Sequence, residues 1–161
     1  MNSPRRILIR PFTSADPALV ADLLCAASPE YTRFFRPFVF ETDAIGPLAF
    51  DAVQDQWFAL EIEQAGGFQP AGFYMLRGLD EGFADPMYGV FIAEEFARCG
   101  LARLTLAHAE AQCRLNGWKN LLLKVDAENA RASRLYESFG FQFQRVDPKN
   151  GNRVLAKEIL H

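Results

Sequence analysis

The apolar run Leu121-Leu122-Leu123-Lys124-Val125, followed from Asn129 by N-A-R-A-S-R-L-Y-E-S-F-G-F, constrains this chain more than any other feature. The run predicts a buried strand. The segment after it predicts a helix: Asn129 carries the short polar side chain favoured at an N-cap, and Ala132, Leu135, Tyr136 and Phe139 fall on one face at helical spacing. Gly140 is placed to take the left-handed conformation that ends a helix before the chain turns into Phe141. A buried strand therefore feeds a helix that stops at glycine.

Whole-chain properties narrow the possible classes. At 161 residues, half of them hydrophobic, residues 1–161 are expected to form a single domain with a substantial core. The formal net charge of -3 supplies no basic excess for phosphate backbones, so nucleic acid is not an expected partner. No apolar run approaches membrane-spanning length, and Met1-Asn2-Ser3-Pro4-Arg5-Arg6 lacks the apolar centre of a signal peptide; no membrane partner and a cytoplasmic location are expected. Cys25, Cys99 and Cys113 form no C-x-x-C pair and are too few for a disulfide framework, which makes them reduced thiols. With only His108 and His161 available, no metal site is expected.

Along the chain, Ile7 to Arg10 predicts a first strand, and Asp16-Pro17 predicts an N-cap with proline at the first position of a helix over Ala18 to Ala27. Tyr31 to Phe40 is dense in aromatics around Arg33 and Arg36 and suits a loop or short helix. Trp57 to Ile62 and Ala71 to Leu76 predict strands joined through a Gly66-Gly67 turn, and Tyr88 to Ile92 predicts the next. Leu101, Leu104, His108, Ala111 and Leu115 then mark an apolar helical stripe ending at Asn116-Gly117, before the strand Asn120 to Val125. After the second helix, Phe141 to Val146 and Arg153 to Ile159 predict two strands around a turn-rich connection. The expected order is β-α-α-β-β-β-α-β-α-β-β.

The pattern N-x-x-A-x-x-L-Y-E-x-x-G-F strongly resembles the GNAT superfamily of N-acetyltransferases, and the element order resembles it from first strand to last. Ala97-Arg98-Cys99-Gly100-Leu101-Ala102 is similar to the family's acetyl-CoA loop, Q/R-x-x-G-x-G/A, with Ala97 standing where a Gln or Arg is usual. The loop has a physical logic. A pyrophosphate needs converging backbone N–H donors, and a helix N-terminus supplies unpaired ones at the positive end of its dipole. Gly100 lets the backbone come close, Ala102 is too small to block it, and Arg98 and Arg103 add positive charge. The resemblance implies an α/β (α+β) fold: a mixed, mostly antiparallel central sheet of about six or seven strands, flanked by about four helices, with the fourth and fifth strands splayed around a pantetheine arm.

It also implies the chemistry. Acetyl transfer from the thioester of acetyl-CoA to an amine needs a bound donor, a neutral nucleophile, a polarised carbonyl and a protonated leaving thiolate. By resemblance, Arg98, Cys99, Gly100, Leu101, Ala102 and Arg103 cradle the pyrophosphate, while backbone groups of Val90, Phe91 and Ile92 pair with pantetheine like an added strand. One N–H there faces the carbonyl oxygen, a donor of the kind worth ~3 kcal/mol. Asn129, Ala132 and Tyr136 complete the cofactor side. Tyr136 matches the general acid that protonates the departing sulfur, its unperturbed pKa of about 10 lying above that of a thiol; equally, it can simply pack its helix onto the sheet.

The general base is less defined. An alkyl amine is only about a tenth of a percent neutral at pH 7, so a base or a water path helps. Where acetyltransferases of ribosomal-protein N-termini carry a glutamate, five residues before the motif asparagine, this chain has Lys124. Protonated, it repels a cationic amine and favours an acceptor with an acidic group, or else it reaches solvent. Asp85 and Glu81 are the other candidates, with solvated turn acids as the alternative; Glu94 and Glu95 are poor ones. The Tyr31 to Phe40 cluster falls where the family covers its acceptor, although its phenylalanines also suit simple packing. His108 is expected to be a helix-face residue.

These residues point to an N-acetyltransferase acting on a small-molecule amine by direct attack in a ternary complex. The alternatives are a protein or peptide N-acetyltransferase and, in another class, a non-catalytic acyl-CoA-binding sensor. No G-x-x-x-x-G-K-[ST] and no G-x-G-x-x-G opens a helix, so neither a P-loop nor a dinucleotide fingerprint is supported. A homodimer is a further expectation carried by the resemblance.

Overall fold

The computed structural model describes residues 4–160. Residues 1–3 of the chain start weighed above, and His161, lie outside them. Seven strands form one sheet: β1 (Ile7–Pro11), β2 (Gln56–Gln64), β3 (Gly67–Arg77), β4 (Met87–Ile92), β5 (Asn120–Val125), β6 (Gln142–Val146) and β7 (Arg153–Glu158), in the spatial order β1-β2-β3-β4-β5-β7-β6. Every neighbouring pair is antiparallel except β4–β5, which is parallel. The helices are α1 (Asp16–Ala26), the single turn α2 (Pro29–Thr32), α3 (Thr42–Phe50), α4 (Leu101–Asn116) and α5 (Ala130–Ser138), with a 3-10 turn at Glu94–Phe96. The expected mixed, mostly antiparallel sheet with a splayed fourth and fifth strand is the one found.

Strand alternation sorts the core into two layers. Phe58, Tyr74, Leu76 and Tyr88 join Leu106, Ala109 and Cys113 of α4 and Leu121, Leu123 and Val125 of β5 in one cluster, against which Ala132, Leu135, Tyr136 and Phe139 of α5 pack. On the opposite face Trp57, Phe73, Met75 and Phe91 meet Val20 and Leu24 of α1 and Ile45 of α3, with Tyr31, Phe35, Phe38 and Phe40 layered on them. The aromatic cluster is therefore first of all a packing layer.

Three sequence expectations need correction. The buried face of α4 is Leu101, Thr105, Leu106, Ala109, Glu110 and Cys113, whereas Leu104 and Leu115 of the expected stripe are exposed. A chain of alternating apolar and small residues offers more than one helical stripe, and the polar partners of Thr105 and Glu110 decide which is buried. Asp16 is the first helical residue of α1, not its cap: its buried carboxylate accepts from the Thr13 N–H (2.5 Å) and from both terminal nitrogens of Arg10 (2.7 and 3.0 Å). Helix α3 was not anticipated, because Gly46 and Pro47 lower its propensity; complete burial of Ile45 outweighs that cost.

Candidate active site

The parallel pair β4–β5 is zipped only at its start. Met87 pairs with Leu122 and Tyr88 with Leu123, while β5 stays paired along its whole length with β7. The closed end is held by Asp85: its Oδ1 accepts the N–H groups of Lys119 (2.8 Å) and Asn120 (3.1 Å), and its Oδ2 accepts from Asn120 Nδ2 (2.8 Å). Three donors occupy this carboxylate, at the end of the pair where the strands touch. Asp85 thus has a structural task away from the gap, which corrects its candidacy as base. Glu81 is exposed in the β3–β4 connection, also at that end.

Beyond Tyr88 the strands part. The Ala93 N–H bonds the Ala71 carbonyl (2.8 Å), and the unshifted β3–β4 register then fixes which way each β4 residue turns. Gly89 and Phe91 direct their N–H and C=O groups to β3; Val90 and Ile92 direct theirs into the gap. The expectation of three consecutive backbone contacts is corrected accordingly, since Phe91 is committed to Phe73. What Phe91 supplies is a ring on the α1–α3 face, edge-on to Tyr31 at 5.8 Å.

From Ile92 the chain runs through the 3-10 turn into α4. Arg98 has φ 68° and Gly100 φ 82°, two left-handed residues that turn the chain sharply into the helix. Gly100 has open space where a Cβ would stand, so the positive φ is what calls for glycine here. The first main-chain bond of the helix is Leu104 N–H to Gly100 C=O (3.1 Å), which leaves the N–H groups of Leu101, Ala102 and Arg103 without main-chain acceptors. Arg98, Cys99 and Arg103 are exposed around them. These are free donors at a helix N-terminus beside two exposed arginines, an arrangement suited to a diphosphate. Arg98 has no ion-pair partner among the described residues, and Arg103 lies over the Phe139 ring at 5.4 Å.

Helix α5 closes the same region. Asn129 caps it, Oδ1 accepting the Ala132 N–H at 3.2 Å, and Gly140 has φ 89° at its end. Tyr136 is set against Tyr88 (6.5 Å) and Phe141 (5.9 Å), both edge-on, and burial pushes its phenol up to about 12. No hydrogen bond engages its hydroxyl among the described residues. Ser133, one turn earlier and 8% exposed, holds a buried hydroxyl without a protein partner, which pattern reading missed because the motif leaves that position open.

On the other face of β5, Lys124 Nζ sits 2.7 Å from Asp147 Oδ2. The Lys124 hydrogen bond, aided by the Lys149 N–H (3.0 Å), holds the Asp147 carboxyl below its usual range. Lys124 is therefore a paired cation and not a free one. Sequence gave no signal for Asp147, which lies 23 residues away in a turn. His108 accepts or donates to the Tyr74 hydroxyl at its Nδ1, and burial lowers its pKa, as suits a packing residue. The thiols are unpaired: Cys25 and Cys99 are exposed and Cys113 is buried. No helix among the described residues is long and apolar enough to cross a membrane. Surface cavities of about 430 Å³ beside Trp57 and about 390 Å³ beside Arg36 are lined by none of the gap, loop or α5 residues.

A splayed parallel pair inside an otherwise antiparallel sheet, with a glycine loop opening the next helix, defines a GNAT-type fold. The chain belongs to the acetyltransferase (GNAT) family, whose model matches residues 20–141. The family's acetyl donor is acetyl-CoA. Similar solved structures include a domain from Methanocaldococcus jannaschii (17% identity, 96% of this chain and 99% of that one, TM-score 0.78). Others are a spermidine N-acetyltransferase from Vibrio cholerae in complex with CoA and spermine (17% identity, 95% of each chain, TM-score 0.74) and the ribosomal-protein-S18-alanine N-acetyltransferase from Escherichia coli (19% identity, 97% of this chain and 96% of that one, TM-score 0.67). At such identities the likeness is one of fold. No curated protein matches the sequence.

Proposed function

We propose that this protein transfers the acetyl group of acetyl-CoA to a primary amine of a small molecule by direct attack in a ternary complex. The observation that carries this is the half-zipped β4–β5 pair: it leaves the Val90 N–H and C=O and the Ile92 N–H facing a gap that runs from the Gly100 loop to Tyr136. An extended amide chain would complete these groups as an added strand does. Similar folds include enzymes whose acceptors are small amines, spermidine and an aminoglycoside among them.

In the proposed reaction the amine nitrogen attacks the thioester carbon from the α1–α3 face, and the negative oxygen is stabilised by the Val90 N–H. The C–S bond then breaks and the sulfur takes the Tyr136 proton. A phenol near 12 is fully protonated at neutral pH, so the proton is always present. Transfer to an ordinary thiolate is uphill by itself and is drawn on by cleavage of the C–S bond and by return of a proton from water to the phenolate. The amine's surplus proton passes to water, from which the Tyr136 phenolate recovers its own, since Asp85 is hydrogen-bonded at the closed end and Lys124 is ion-paired to Asp147.

The test is acetyl-CoA-dependent thiol release over amino sugars, amino acids, polyamines, aromatic amines and short peptides, comparing wild type with Tyr136→Phe. Release stimulated by a small amine and lowered about a hundredfold in the variant is expected. Coenzyme A binding without release for any amine would favour a sensor instead, and stimulation by peptides alone would favour a protein acetyltransferase.

A further inference from the structure

The single turn α2 is fastened to the cofactor strand at two points. The Tyr31 hydroxyl donates to the Ile92 carbonyl at 2.8 Å, filling one of the main-chain groups that face the gap. At the other end of the turn the Ser28 N–H and Oγ donate to the two carboxylate oxygens of Glu94 at 3.2 and 3.3 Å. The Ser28 hydroxyl in turn accepts the Tyr31 N–H at 3.2 Å. The bonds close a circuit: Ile92 to Tyr31, Tyr31 to Ser28, Ser28 to Glu94. Ile92 and Glu94 bracket Ala93, in the short segment that joins β4 to the glycine loop.

Helix α2 cannot hold this geometry alone. It has four residues, none of them buried, and an isolated turn of that length is far below the length at which helices persist. It is nonetheless the element that leads into the aromatic wall. Tyr31 packs edge-on to Phe91, and Phe35 lies 5.4 Å from the Phe91 ring and 5.8 Å from that of Phe73. Glu94 has a second consequence. It is an acid four residues before Arg98, and the two Ser28 donors hold its charge toward α2 rather than toward the anion-binding loop.

We infer that Tyr31 and Glu94 are positioning residues that couple the acceptor wall to the cofactor site, so that ordering of residues 92–94 by a bound donor is transmitted through α2 to Phe35. The inference rests on the proposed cofactor site. A ligand that bonds the Ile92 N–H and the loop amides stiffens the segment between them, and the circuit passes that restraint to α2, which is too short to persist alone. The two sites are then linked, and reciprocally so.

Amide hydrogen exchange tests this without an identified acceptor. Adding coenzyme A to the wild-type protein is expected to slow exchange over residues 28–35 by about fivefold, the low end of coupling between sites. In Tyr31→Phe and in Glu94→Ala, each checked for an unchanged melting transition, the protection over residues 28–35 is lost, while protection of the loop from Arg98 to Arg103 and affinity for coenzyme A stay within about twofold of wild type. Coenzyme A binding with no change over residues 28–35, or the same protection in both variants, would overturn the coupling alone. Failure of coenzyme A to bind the wild type would overturn the cofactor site and the coupling together.

Discussion

The two ends of the β4–β5 pair are built from opposite choices. At one end a single carboxylate, Asp85, gathers three donors from the start of β5 and draws the strands together. At the other, β5 is fully occupied by β7 on its far side and leaves the Val90 and Ile92 groups unanswered, apart from the Tyr31 hydroxyl on Ile92. Unpaired backbone is normally costly when shielded from water. Here the closed end and the neighbouring ladders hold the sheet together so that a few polar groups can stay available in the gap.

The largest effect is expected at the open end. Tyr136→Phe removes the proposed acid and is expected to lower turnover by about a hundredfold or more, with coenzyme A affinity nearly unchanged. Because burial pushes the phenol up to about 12, the wild-type rate should show no loss through pH about 10, where an ordinary phenol ionises; an alkaline limb near 10 that vanishes in the variant would place the phenol in water. At the closed end, Asp85→Ala strands the Lys119 and Asn120 N–H groups and should cost about 2 kcal/mol by chemical denaturation. An unchanged midpoint would mean that the clamp contributes nothing and that the contrast between the ends fails.

Gly100→Ala sharpens the comparison because its cost is conformational. The space is open, so the penalty is that of a left-handed alanine, about 1–2 kcal/mol, read as about tenfold weaker coenzyme A binding. A change in melting temperature without a change in affinity would detach the loop from the site. The smallest effect concerns Asp147. Its carboxyl lies below the ordinary 3.8 because Lys124 and then the Lys149 N–H bond to it. A lowered folded pKa stabilises above the unfolded value and loses that contribution as pH falls through the folded one. Melting curves of wild type and Asp147→Asn should therefore differ at neutral pH and converge below pH about 4; a constant offset would show that the ion pair is not the source.

Local chemistry accounts for what was legible in the sequence. Alternation and apolar runs marked all seven strands to within a few residues, and Asn129 and Gly140 declared their helix ends because capping and positive φ depend on the residue itself. The site was legible to the same depth. The loop and α5 stood out, whereas the partners of Asp85 and Lys124 did not, because those lie 34 or more and 23 residues away and a charge does not state what it will meet.

By itself, then, the sequence determined the order of the seven strands, the helices that follow β4 and β5, the Asn129 cap and the Gly140 stop, all consequences of near-neighbour sterics and periodicity. Only the tertiary structure decided which stripe of α4 is buried, that Ile45 holds α3 in place, that Phe91 turns its backbone away from the gap, and that Asp85 closes the strands it was expected to serve chemically. Each of these depends on which donor, acceptor or apolar face another element brings alongside, and that is settled only when the sheet assembles.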